Sequence, residues 1–178
     1  FNFPTAISNC MRMLKKSGNI FIFSMANNHC GHGFYQFSPE LFYRIFDVYN
    51  GFIINKVILI EHNYPGAELS TNNICYEVED PKIYGKRINI VNSKPLGIMV
   101  DAKKTDNKKI MSVFPMQSDY DLSWKKENNI REFISNKKKY ATKLMNFLPK
   151  KISKLIFGYI QLYDSKLGKN NKKYKKWK

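Results

Sequence analysis

Acidic side chains are scarce in this chain, and the scarcity is local. In 178 residues, 14 Asp and Glu face 30 Lys and Arg, a formal net charge of +16. Residues 124–178 hold 17 of the basic and 3 of the acidic groups, a net of +14, which leaves 13 and 11, or +2, for residues 1–123. The body is near neutral and the tail is a separate basic device. Cysteine is sparse too. Cys10, Cys30 and Cys75 are odd in number and lack CxxC spacing, which disfavours a disulfide framework and points to reduced thiols in a cytoplasmic protein. The longest uncharged apolar run, residues 19–26, is far shorter than the ~20 residues a bilayer-spanning helix needs. No charged stretch followed by an apolar one opens the sequence, so secretion is not indicated. Internal repeats are missing, and low complexity is confined to the final GKNNKKYKKWK. The first residue is Phe1, within what reads as structure, and the chain is expected to be a piece of a longer protein.

What is present suits one folded domain with an appendage. Pro4 fits the first turn of a helix in which Ala6, Ile7, Cys10, Met11, Met13 and Leu14 recur at helical spacing. Lys15 and Lys16 favour its C-terminal end, and Gly18 is the expected stop. NIFIFSM follows as a strand apolar on both faces, the pattern of a central strand in a covered sheet. After a loop over residues 26–37, Ser38 is a good N-cap with Pro39 at the first helical position. Leu41, Phe42, Ile45 and Phe46 then form one stripe, and Asn50-Gly51 ends the helix. FIINKVILIEH is a long strand, residues 63–73 a polar loop, and GIMVDAKKT another strand. Asp80-Pro81 fits the cap of a short helix, whereas Arg87, Ile88 and Ile90 fit an alternating strand; both readings stay open. This order of elements predicts an α/β sheet with helices on its faces.

FPTAISNCMRMLKKSGNIFIFSM resembles the segment of class I S-adenosylmethionine-dependent methyltransferases in which a helix, a Leu-Lys-Pro-Gly-Gly turn and a strand follow one another. Leu14-Lys15-Lys16-Ser17-Gly18 stands at the turn. GHGFYQFSPELFYRIFDVYNGF resembles the next piece, with its Gly-His pair, its aromatic-Ser-Pro-Glu-Leu helix start and its closing Gly-Phe. IMVDAKK stands where that family has its seventh strand, antiparallel to its neighbours. The resemblance covers residues 1–104. It implies the second half of a Rossmann-like seven-stranded methyltransferase sheet over residues 1–123, while charge and apolar spacing predict a basic α-helical tail over 124–178. The family's Gly-rich turn and the acidic residue after its second strand have no counterpart. Gly31-His32-Gly33 is a GxG by letter only, after the wrong element. S-adenosylmethionine is therefore expected to be bound mainly by a missing N-terminal half, with this chain inactive alone and its own cofactor contacts unassigned.

The same resemblance places the loop after Met25 at the carboxyl end of a strand, where open α/β sheets bind ligands. Asn27, Asn28 and Tyr35 are then expected at the acceptor substrate, a small molecule or a lipid-linked glycan. Methyl transfer needs alignment above all, and an oxygen or nitrogen acceptor needs a base. His32 is the first candidate for that base and His29 the second; an orienting role for His32 weighs equally. His29, Cys30 and His32 crowd together too closely for tetrahedral zinc, and no metal is expected. Cys30 has no partner base beyond those histidines. Phe34, Tyr35 and Phe37 suit the packed underside of the loop better than a stacking platform.

In the tail, Ile130, Phe133, Ile134, Tyr140, Leu144 and Leu148 make one helical stripe. Ile152, Leu155, Ile156, Tyr159, Ile160 and Tyr163 make a second after Pro149, with lysines opposite. Docking on the body is the first reading, with the protein cytoplasmic. Peripheral contact with an anionic membrane is the next and nucleic acid the third, because KKYKKW suits an interfacial anchor at least as well as a stacking platform. A non-enzymatic basic binding module and an RNA methyltransferase are the alternatives to a small-molecule enzyme. The oligomeric state is left open.

Overall fold

The computed structural model describes residues 2–84, 90–118 and 174–176, with isolated positions at 120, 149, 152 and 154–155. Helix α1 spans Phe3–Met13. Asn2 caps it, its side-chain oxygen accepting from Thr5 N at 3.2 Å. The helix ends earlier than its apolar spacing predicts: Leu14 is already extended, and Met13 faces solvent. Ser17, not Gly18, takes the left-handed conformation, at φ 69°. Gly18 is needed for proximity instead, since a Cβ there would lie 3.0 Å from the Lys15 carbonyl oxygen.

Strand β1 (Asn19–Met25) leads through the 26–37 loop to α2 (Pro39–Ile45), capped by Ser38, whose Oγ accepts from Leu41 N at 3.4 Å. This helix also stops short of Asn50. Asp47 caps a separate 3-10 turn, Val48–Asn50, while the Asn50 amide donates to the Ile45 carbonyl at 3.0 Å and closes the helix end. Gly51, at φ 77°, turns the chain into β2 (Phe52–Glu61). Next come β3 (Ile74–Val78), which has no counterpart in the sequence-based expectation, a single turn α3 (Pro81–Tyr84), and β4 (Leu96–Lys104). The competing strand reading lies at residues outside the description, apart from Ile90, which packs against the core.

The sheet order is β1-β4-β2-β3, extended on the β3 edge by a three-residue β5 (Tyr174–Lys176). Every neighbouring pair is antiparallel. The protein is thus a mixed α/β structure, but the described strands form neither a seven-stranded sheet nor a Rossmann-like order. Such an order needs directly paired parallel strands. Here β4 returns between β1 and β2 and pairs with both, from Asn19↔Lys103 to Met25↔Gly97 on one side and Phe52↔Lys104 to Glu61↔Leu96 on the other. As its partners both run against it, β1 and β2 run parallel to each other, one strand apart.

One face of this sheet carries the core. Ile98, Val100 and Ala102 of β4 and Val57 and Leu59 of β2 pack with Ile7 and Met11 of α1 and Phe42, Ile45 and Phe46 of α2. The other face does not match a covered central strand. Strand β1 lies at the sheet edge among the described residues, and Phe21 and Phe23 on its open face are 70% and 49% exposed. Two polar ties, the first partly buried and the second buried, hold the helical layer. Arg44 pairs with Asp80, and Glu40 accepts from Ser118 N at 2.7 Å and from its hydroxyl, which returns the segment after β4 to the start of α2. The tail stripes lie outside the described residues except for Ile152 and Leu155, both exposed. The lysine-rich end departs from an all-helical tail: residues 174–176 are a strand on β3.

Candidate functional site

Parallel strands β1 and β2 deliver their carboxyl ends to the same rim of the sheet, and all three histidines of the chain meet there. His62 follows β2 directly, its N–H donating to the Pro95 carbonyl at 2.9 Å. It is fully buried, and the space it fills exists because residue 97 is glycine: a Cβ there would lie 2.9 Å from His62 Nε2 and 3.0 Å from the Phe23 ring. His29, four residues beyond β1, is 5% exposed, with its ring centroid 5.8 Å from that of His62 in an edge-to-face contact. His32 is exposed, 5.9 Å from His29, and its N–H donates to the His29 carbonyl at 2.9 Å.

The electrostatics of this cluster are unusual. His29 Nε2 and both ring nitrogens of His62 are buried and have no hydrogen-bond partner among the described residues. Each such group costs about 1–3 kcal/mol relative to a paired one, so three of them side by side are held at a cost to stability. Burial, and next the neighbouring His62, hold the pKa of His29 below its ordinary value. Glu68 opposes that shift, and His32 adds slightly to it. The Glu68 carboxylate is itself held low by backbone N–H groups, its own and that of Gly66, which donates to Oε1 at 3.2 Å. A neutral imidazole at neutral pH is a proton acceptor, which is the chemistry this rim can supply.

The other expected site residues have definite places. The Asn27 amide donates to Asn92 Oδ1 at 2.8 Å, and that of Asn28 donates to the Asn92 and Lys94 carbonyls, both at 3.0 Å. These two residues bind the loop to the segment entering β4, with Asn28 in the left-handed region at φ 64°. Tyr35 stacks on Phe37 at 5.7 Å and 21° and lies 6.4 Å from Phe3, yet it is exposed, as is Phe34, so the packed underside expected of these aromatics holds for Phe37 alone. The structure thus brings His29 and His32 together, ties Asn27 and Asn28 beside them, and directs Tyr35 elsewhere. His62 was missed by the sequence reading. The signal was available, since it closes FIINKVILIEH at the carboxyl end of a strand.

Among the described residues no three His, Cys, Asp or Glu side chains are grouped to hold a metal ion, and Cys30 Sγ accepts from Gln36 Nε2 at 3.3 Å. Gly31 and Gly33 lie open, with nothing within 4 Å of an added Cβ, and follow no Gly-rich strand-to-helix turn. A cavity of about 310 Å³ lies away from the histidines, between Phe3 and Ile7 of α1, Leu41 and Ile45 of α2, and Phe114. Its walls are mainly apolar, with Arg12 alone supplying charge. No described helix is long and apolar enough to cross a membrane. The chain matches no family model, no curated protein and no solved structure.

Proposed function

We propose that this chain is the acceptor side of an S-adenosylmethionine-dependent methyltransferase acting on a small molecule or a glycan-type acceptor. The observation that carries the reading is the gathering of His29, His32 and His62 at the joint carboxyl ends of β1 and β2. Mostly parallel open α/β sheets bind ligands beyond the carboxyl ends of their strands, and the proposal extends that rule to β1 and β2, which run parallel one strand apart. That rim is also where a residue that takes a proton from an oxygen or nitrogen acceptor is needed. The antiparallel strand β4 between two parallel ones supports the same reading, because it is the pattern implied for IMVDAKK by the three resembling segments.

The methyl donor would be held by residues outside this chain. The product of the complete reading frame, given methyl-labelled S-adenosylmethionine and pools of polar acceptors, should label an acceptor. His29→Ala should reduce that labelling at least ~100-fold, the scale of general base catalysis. This chain alone should bind S-adenosylmethionine weakly or not at all, and micromolar affinity by calorimetry would refute the division of labour. A second reading, a basic module for anionic surfaces, draws on the +14 concentrated beyond Ser123.

A further inference from the structure

The three imidazoles are graded in depth. His62 is fully buried, His29 is 5% exposed and His32 is exposed, and each ring touches the next. A single structural histidine is usually satisfied by one backbone carbonyl. Here the two inner rings leave three nitrogens unpartnered, and the outer ring meets water. We propose that His29 is the proton acceptor for a substrate hydroxyl, that His62 is the positioning residue behind it, and that His32 passes the proton to solvent. This rests on the methyl-transfer reading and deepens it by naming the acceptor atom as a hydroxyl oxygen and the base as the inner histidine rather than His32.

Three features support this order. His62 cannot itself meet a substrate, because Nε2 lies over Gly97 and Phe23 packs beside it, so its role is exerted through His29. His29 Nε2 is buried without a partner at the start of the 30–36 loop, whose Gly31 and Gly33 have nothing within 4 Å of an added Cβ. The charged groups around His29 come from three directions: His62 beyond β2, Glu68 in the 63–73 loop, and His32 in its own loop. Gly97 of β4, which brings no charge, lies against His62 behind it. The balance keeps the His29 ring neutral near neutral pH, as a proton acceptor must be. In the step itself the hydroxyl O–H bond breaks, its proton bonds to Nε2, and the electron pair stays on oxygen. The imidazolium is then discharged through His32 to water.

Two separate measurements test the assignment. In this chain, labelled with ¹⁵N-histidine, the three rings are titrated by NMR. His29 should titrate below the ordinary range of an exposed histidine; His62→Gln should raise its midpoint and Glu68→Gln should lower it. A His29 midpoint at the ordinary value, indifferent to His62→Gln, overturns the inference and leaves the methyl-transfer reading intact. In the product of the complete frame, His62→Gln should move the acidic limb of the pH–rate profile upward in pH. His32→Ala should lower kcat with KM and the limb unchanged. Should His32→Ala abolish turnover while His29→Gln leaves it whole, the base is His32 and the order proposed here is wrong. Failure of every acceptor to be labelled, with the His29 titration as expected, counts against methyl transfer and not against the pairing of the two inner rings.

Discussion

The Lys104 ammonium donates to the Leu14 carbonyl at 2.9 Å and to that of Met11 at 3.2 Å, joining the end of β4 to the end of α1 across 90 residues of sequence. The side chain is buried, with Nζ 5.9 Å from the centre of the Phe52 ring. A cation there satisfies carbonyls the helix leaves unpaired and meets the negative end of its dipole.

Lys104→Met keeps the apolar stem and removes the donor. A buried and a partly buried carbonyl then lose their partner, at a cost near that of hydrogen bonds to a charged group, about 2 kcal/mol in unfolding free energy. Urea denaturation checks this. A loss under ~0.5 kcal/mol, the scale of an ordinary surface change, would show that water takes over both carbonyls.

Gly51 and Gly33 share the left-handed conformation but not their surroundings. A Cβ on Gly51 would be driven into the Asp106 carbonyl, whose carbon would lie 3.1 Å away, whereas one on Gly33 would meet nothing. Gly33→Ala should therefore cost only the conformational term, ~1–2 kcal/mol. Gly51→Ala should cost clearly more, because Gly51 O also accepts from Thr105 N and Asp106 N at 2.8 and 3.1 Å and the backbone cannot give way freely. Equal melting temperatures for the two variants would contradict this.

Stability should depend on pH through His29. Its folded pKa lies below the ordinary value of about 6.5, by burial first and by His62 next. Between the two values the unfolded chain binds more protons than the folded one. The contribution is therefore full above about pH 6.5 and is lost as pH falls toward the folded value. The urea midpoint should drop between about pH 7.5 and about pH 5, above most carboxylate titration, and His29→Gln should flatten that slope. An unchanged slope in the variant would place the pH dependence elsewhere.

The basic tail should carry any affinity for anionic surfaces. Each Lys near such a surface contributes roughly 1 kcal/mol. Replacing Lys137, Lys138, Lys139, Lys150 and Lys151 by Gln spares Tyr174–Lys176 and hence the pairing of β5. The variant should bind anionic vesicles at least ~100-fold more weakly. Undiminished binding would remove the membrane reading, and a preference of the wild type for duplex RNA at moderate salt would promote the nucleic-acid one.

Much of the layout was legible because short-range chemistry set it. Ser38 caps α2 as expected, and the strands from Phe52 and Leu96 fall within a residue or two of their apolar runs. Features set by distant parts of the chain were not. NIFIFSM, apolar on both faces, reads as a covered central strand, and only the pairing puts it at the edge among the described residues. Strand β3 is five residues with Glu77 inside it, too weak a pattern to separate from the loop before it. His29 and His32 were legible as loop chemistry. His62 was legible as the residue closing a strand, but its burial was not, since that depends on the missing side chain of Gly97.

The open face of β1 bears on how copies of this chain behave toward one another. Phe21 and Phe23 sit on a sheet edge with no described strand beyond it, a template on which another molecule's backbone can pair. What opposes such pairing is the +16 charge, which makes every encounter between copies repulsive. That repulsion reaches about 30 Å in dilute salt but only about 8 Å at physiological ionic strength. Adding salt should therefore remove the barrier while leaving the sticky edge in place, and this chain should stay in solution best where the buffer is most dilute.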